Sequence, residues 1–344
     1  MKKKILITGG CGFIGTNAAL YFSAHGHEVV VVDNFSRKGS EVNKALLEKT
    51  SVKILPPLDV ATGGQELAKI VDEQGFDAII HAAAQVAVTS SVADPLFDFQ
   101  SNALGTLNVL EAARLAKKQP HVLFTSTNKV YGGMEQVKIT QQDTRYAYTE
   151  LLYGVPESLP LDFHSPYGCS KGSADQYVRD YARIYNFPTT VFRQSCIYGR
   201  NQFGIVDQGW VAFLTMLAFF DKPITIFGDG KQVRDILFVS DLIAAMEAAL
   251  ENPGVSSSEI FNLGGGPLHT LSLLEFITFL EQRLGKKVAY THSDWRPGDQ
   301  KVYVSDVRKA QEKLHWSPST PFEEGFDDMF SWIKENQELL RQYV

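Results

Sequence analysis

The chain is poor in cysteine: Cys11, Cys169 and Cys196 are the only three among its 344 residues. They are odd in number, widely separated and outside any Cys/His metal spacing, so neither a disulfide framework nor a zinc site is expected. They suit a reducing compartment, and the expected location is the cytoplasm. Long apolar runs are also missing. Ile5-Leu6-Ile7 passes straight into glycines, too short for the apolar core of a signal peptide. No later stretch reaches the roughly 20 apolar residues of a membrane span, and Leu214–Phe220 is read as the buried face of a helix. An excess of positive charge is lacking too. Thirty-three Lys and Arg stand against 39 Asp and Glu, a net charge of -6 that provides no global attraction for nucleic acid. A small anionic ligand would need arginines placed locally.

What is present is a globular composition, 44% hydrophobic and 21% charged, with no internal repeat. Short β-branched runs alternate with longer helical patterns through the first two thirds. Candidate strands are Lys4–Ile7, Glu28–Val32, Val52–Leu55, Ala78–His81, Val122–Thr125 and Thr189–Arg193. Candidate helices are Phe13–His25, Glu66–Gln74, Phe99–Lys117 and Tyr167–Tyr185. The alternation predicts an α/β fold, a Rossmann-type doubly wound parallel sheet with a smaller C-terminal substrate-binding region. After Arg193 the rhythm changes to Gly-rich turns and an apolar helix near Trp210–Phe220. Residues 1–193 are therefore read as mainly cofactor-binding and 194–344 as mainly substrate-binding, with the chain weaving back into the first part. Thr320-Pro321-Phe322-Glu323 reads as a helix start capped by Thr320.

Gly9, Gly12 and Gly15 lie directly after an apolar strand and before a helix, within Thr8-Gly9-Gly10-Cys11-Gly12-Phe13-Ile14-Gly15. Glycines there allow a sharp turn and close approach, and free helix-start amides can meet a pyrophosphate. Asp33 ends the next strand, where a carboxylate can accept both adenosine-ribose hydroxyls. That favours NAD over NADP, although Arg37 nearby could receive a phosphate.

Tyr167 and Lys171 stand four residues apart, on one face of a helix. An ammonium near the phenol favours phenolate, so Tyr167 can take a proton from an alcohol while hydride leaves for a nicotinamide; Lys171 can also bond a ribose hydroxyl. Thr127, ending a strand, can orient the same alcohol.

These residues resemble the extended short-chain dehydrogenase/reductase family, particularly its nucleotide-sugar epimerases. The matches are the three glycines, Asp33, Thr127 ahead of Val130-Tyr131-Gly132, and the Tyr167/Lys171 pair. The resemblance implies catalytic Thr127, Tyr167 and Lys171. It implies NAD contacts at Gly9, Gly12, Phe13, Ile14, Asp33, Asn34, Ser36, Arg37, Asp59, Val60, Ala82, Ala83, Ala84, Asn102 and Ser126, besides Tyr167 and Lys171. Tight strand packing for Ala82–Ala84 and a helix cap for Asn102 stay open as plainer readings. Asp33-Asn34-Phe35-Ser36-Arg37-Lys38-Gly39, Ser126-Thr127-Asn128-Lys129, Asp207-Gln208-Gly209-Trp210 and Gly230-Lys231-Gln232-Val233-Arg234-Asp235 resemble the branch that inverts C2 of CDP-sugars.

That branch implies a CDP-sugar substrate bound by Thr127, Gln208, Gln232, Arg234 and Arg296, with Arg234 and Arg296 on the diphosphate. Pairing of these arginines with Asp235 or Asp299 is the competing structural reading. Trp210 and Trp295 could face a cytosine, though burial is the simpler role for each. A homodimer or homotetramer is implied. Asn128-Lys129 departs from the Asp-Glu pair that 4,6-dehydratases carry after the threonine, which favours redox without elimination. A nucleotide-hexose 4-epimerase using the same residues, and a non-catalytic dinucleotide sensor, stay open. His81 and His164 are given no role, and no metal is expected.

Overall fold

The computed structural model describes residues 1–296 and 298–344. Its centre is a seven-stranded sheet in which every pairing is parallel. From one edge to the other the strands are Glu259–Leu263, Thr189–Gln194, His121–Thr127, Ala78–His81, Lys4–Thr8, Glu28–Val32 and Lys53–Ile54. The near-continuous apolar runs reflect burial on both faces. Ile5, Ile7, Val29 and Val31 enter one core, while Leu6, Val30 and Val32 enter the other.

The chain starts in the middle of the sheet, runs outward through Glu28–Val32 to Lys53–Ile54, then crosses back to Ala78–His81 on the other side of Lys4–Thr8. The carboxyl ends of these two central strands therefore open into a crevice, the usual ligand position in open parallel sheets. The expected Val52–Leu55 strand shrinks to Lys53–Ile54, because the Val52 amide donates to Thr50 Oγ1 in the preceding turn. The expected Phe99–Lys117 helix is instead three pieces: Pro95–Phe99, a π-helical turn Gln100–Leu104, and Gly105–Leu115. Asp94 caps the first piece by accepting from the Phe97 amide. The last ends where Ala116 turns extended.

A smaller substrate-binding region follows. Val233–Phe238 pairs with Cys196–Tyr198, Thr270–Ser272 and Val302–Tyr303, and Ile224–Phe227 pairs with Tyr290–Ser293. Its own core gathers Phe276, Phe326, Met329 and Trp332, together with Leu214 and Met216 of the Trp210–Phe219 helix. Between the two lobes, Glu259–Leu263 returns to the main sheet beside Thr189–Gln194. Thr320 does not cap the Phe322–Glu335 helix: Pro321 holds the cap position, and Thr320 Oγ1 donates to Asp241 Oδ1 at 3.0 Å. Asp241 also takes the Ser319 hydroxyl and the Ser319 and Thr320 amides, so the threonine is already committed. Among the described residues no helix is long and apolar enough to cross a membrane.

Candidate active site

The first strand delivers its glycines into the crevice under close contact. Gly9 has φ +68°, and a Cβ on it would lie 2.6 Å from the Ala83 amide nitrogen. One on Gly15 would lie 2.2 Å from the Gly9 carbonyl oxygen. Ala82 and Ala83 thus close the turn from the neighbouring strand end, with the Ala82 amide bonded to Thr8 O. Gly12 is the N-cap of the Phe13–Ala24 helix and supplies no capping side chain, so this helix end keeps amides available for an anion.

Asp33 is buried and ties its strand end to the glycine turn. Its Oδ2 accepts from the Cys11 amide at 2.9 Å and its Oδ1 from the Phe35 amide at 2.8 Å. Burial raises its pKa, and these amides pull it back. Each carboxylate oxygen retains a further acceptor direction. On the rim, Asn34 donates to Asp59 Oδ2 at 2.6 Å and accepts from the Ser36 amide and hydroxyl. Val60 points into the core, so only its main chain is available to a ligand. Arg37 crosses the crevice to the side-chain oxygen of Gln208.

At the other end, the Ser165–Tyr185 helix packs along His121–Thr127 and carries Tyr167 and Lys171. Tyr167 and Thr127 both line a cavity of about 680 Å³ shared by the two lobes. Burial pushes the Tyr167 phenol up to about 12; the Thr127 hydroxyl and the charge of Arg37 oppose the rise, and Asp98 adds to it. Lys171 Nζ instead donates to Thr125 O at 2.7 Å and lies 4.2 Å from the centre of the Phe124 ring. Burial brings its pKa down to about 7, against the fields of Asp175 and Asp98. Lys171 thus points its ammonium at the Thr125 carbonyl, and the charge of Arg37 favours the phenolate form of Tyr167.

Asn102 lies in the π-helical turn and is fully engaged. It accepts from the Gln85 amide at 3.0 Å and donates to Asp98 Oδ1 and Ser170 Oγ, each at 3.1 Å. It lies within the π-helical turn rather than at a helix cap, and it fastens that turn to the helix of Tyr167. Ser126 lines the cavity while donating to Asp175 at 2.7 Å. Asn128 is occupied by Thr127 and Gln300. His81 is held in the core between Thr8 and Thr106, with burial lowering its pKa to about 3.

The facing wall comes from the second lobe. Gln208, Trp210, Gln232, Arg234 and Arg296 all line the cavity. Arg234 pairs with Asp299 at 2.7 Å and Arg296 with Asp207 at 3.1 Å, so both arginines combine ion pairing with exposure to the cavity. Trp210 packs edge-on against Phe276, whereas Trp295 is 39% exposed and lies outside this cavity. Sequence reasoning missed Gln194 and Gln202, which line the same space. Gln194, closing a parallel strand at its carboxyl end, carried the available signal.

A doubly wound sheet with this crevice and this Tyr/Lys helix is the architecture of the extended short-chain dehydrogenase/reductase enzymes that act on nucleotide sugars. The chain belongs to that class through the GDP-mannose 4,6-dehydratase family, which residues 6–329 match. It is 41% identical over 334 residues to the CDP-paratose 2-epimerase of Salmonella typhi, covering 96% of this chain and 98% of that protein. It is 32% identical over 347 residues to the UDP-glucuronate 4-epimerase of Thermodesulfobacterium geofontis, covering 98% of each. Among solved structures, the UDP-glucuronic acid 4-epimerase of Bacillus cereus, in complex with UDP-glucuronic acid and NAD, superposes with a TM-score of 0.82. That pair is 29% identical, and the match covers 96% of this chain and 99% of the other.

Proposed function

We propose that the protein is an NAD-dependent epimerase acting at C2 of a CDP-sugar, interconverting CDP-paratose and CDP-tyvelose and accepting CDP-glucose. The observation that carries this reading is the full-length 41% identity to a CDP-paratose 2-epimerase. The site supports epimerisation without elimination, since Asn128 and Lys129 follow Thr127 where proton transfer for elimination would need acids.

The residues fit NAD: an open helix end at Gly12, the close turn at Gly9, and a buried Asp33 with spare acceptor directions. Arg37 is directed to the side-chain oxygen of Gln208, and the charge of Asp33 also acts on it. NAD, when bound, supplies a reversible hydride acceptor. Tyr167 takes the proton of the reacting hydroxyl and gives it back after the keto sugar presents its other face; Thr127 orients that oxygen. Lys171, whose Nζ donates to the Thr125 carbonyl, is in this reading the residue that bonds the nicotinamide ribose. Arg234 and Arg296 take the diphosphate.

A paratose ring has no 3-hydroxyl, and C2 is not adjacent to C4, so oxidation at C4 would leave the C2 proton unactivated. Direct oxidation at C2 is the consistent route. Epimerisation at C4 is the second reading, and more of the similar proteins carry 4-epimerase or 4,6-dehydratase activity. Incubation with CDP-glucose and UDP-glucose separates them: a CDP-mannose product is expected, and a galactose-configured product would overturn the C2 assignment. With C2-deuterated substrate, label should stay at C2; rapid loss to water would defeat direct oxidation.

The cytoplasm is the proposed location, and the lobes are proposed to divide near residue 193, with Glu259–Leu263 returning to the first. Self-association as a dimer or tetramer is proposed through exposed Leu96, Phe97 and Phe99. Light scattering of a Phe97→Glu, Phe99→Glu variant should report a smaller particle than the unaltered protein.

A further inference from the structure

Lys129 projects into the same cavity as Thr127 and Tyr167. Its main-chain amide donates to Thr127 Oγ1 at 3.2 Å, which fixes it beside the hydroxyl that orients the reacting alcohol. Its ammonium is held by Asp299 Oδ1 at 3.3 Å, and 21% of its side chain stays uncovered. The same Asp299 oxygen accepts from Arg234 Nη2 at 2.7 Å and from the Gln300 amide at 3.1 Å. Two cations thus share one carboxylate, leaving a net positive charge at the inner end of the cavity.

An ammonium has three donors. Among the described residues Asp299 is the only hydrogen-bond acceptor Lys129 Nζ reaches, so two donors remain for whatever enters. Neighbouring Asn128 differs, because both ends of its amide are taken by protein groups. Burial lowers the Lys129 pKa, and Asp299 works against that shift. Asp299 is itself kept below the ordinary carboxylate range, with Arg234 and Lys129 outweighing its burial.

We infer that Lys129 orients the sugar ring by donating to a sugar oxygen next to the reacting carbon, and that Asp299 links this contact to Arg234 at the diphosphate. The inference rests on the nucleotide-sugar reading and adds a residue that selects the sugar rather than the nucleotide. A sugar offering an acceptor at that place is favoured, because a buried donor without its partner is costly.

The test compares two ligands on NAD-loaded protein by titration calorimetry: CDP, which has no sugar beyond the ribose, and CDP-glucose. For Lys129→Met, CDP affinity should stay within about twofold, while CDP-glucose affinity and kcat/KM fall about 10- to 100-fold, the usual weight of a charge-assisted bond. Lys129→Gln, which keeps a neutral donor, should recover part of the loss. Arg234→Gln should weaken both ligands. Equal weakening of CDP and CDP-glucose by Lys129→Met, or no change in either, would overturn the inference. If the unaltered enzyme turns over UDP-sugars and not CDP-sugars, the CDP reading fails by itself, and the same comparison with UDP and its sugar still decides the role of Lys129.

Discussion

The two walls of the cleft treat their polar groups differently. On the side built by the ends of the central strands and the helical segments packed behind them, Asp33, Asn102, Ser126 and Lys171 are each bonded to another part of the protein. On the wall made by residues 202–232, the buried atoms Gln202 Oε1 and Gln232 Oε1 have no partner among the described residues, and where this wall meets the sheet the strand-end Gln194 leaves its Nε2 open as well. A buried polar atom without a partner is costly, so such atoms mark where a ligand is expected to complete the bonding. The first wall is built to hold reacting groups still; the second gives up stability to recognise something.

The largest effect should come from the reacting centre of the first wall. Tyr167→Phe keeps the ring packing and removes the proton-carrying oxygen. Its kcat is expected to fall by about 100- to 10,000-fold with an almost unchanged melting temperature. Stopped turnover accompanied by unfolding would instead make Tyr167 a packing residue.

Asn102→Ala should behave in the opposite way. It strips partners from the Gln85 amide and from Asp98 and Ser170, so denaturant unfolding should show a loss of about 2 to 3 kcal/mol. A variant of full stability would break the contrast between the walls.

Lys171 sharpens it through pH. Its folded pKa is about 7, against an ordinary value of 10.5. Between these values the unfolded chain binds the additional proton, so this group makes the protein more stable as pH rises from 7 towards 10.5 and contributes its full penalty below 7. Lys171→Met removes the penalty. Without added ligand it should melt several degrees above the unaltered protein at pH 6, with the gap closing towards pH 10; a pH-independent gap would contradict the assignment.

The smallest stability change belongs to the second wall. Gln232→Leu removes an unpartnered oxygen and one bond to Phe227 O, so unfolding should move by no more than about 1 kcal/mol. CDP-sugar affinity should still fall about tenfold, as expected for one lost hydrogen bond. Undiminished binding would show that the open oxygen serves no ligand.

What could be read from sequence follows the same division. Thr8–Gly15, Asp33 and the Tyr167/Lys171 pair announce themselves because strand, turn and helix are consecutive and the spacing is local. The strands at Glu28–Val32 and Ala78–His81 were legible to the residue. The Arg37 contact with Gln208 spans 171 positions, and that of Lys129 with Asp299 spans 170. Such pairs depend on how two lobes meet, and no periodicity encodes it. The π-helical turn at Asn102 escaped for another reason: one additional residue in a turn hardly alters an apolar pattern, and it is fixed by Asp98 and Ser170. Thr320 had the right chemistry for a cap, yet Asp241 from another helix claimed its hydroxyl.

The returning strand Glu259–Leu263 also matters while the chain is being made. Thr189–Gln194 leaves the ribosome with one edge open, and its partner is synthesised roughly 70 residues later, some 3 to 14 seconds at ordinary translation speeds. During that interval the first 200 or so residues can assemble the glycine turn and the Tyr167 helix while presenting an unpaired strand edge, the kind of surface on which nascent chains stick together. The stretch between the two strands therefore sets a waiting time, and inserting residues in its later part, beyond Arg234, would lengthen it without altering any residue that lines the cleft.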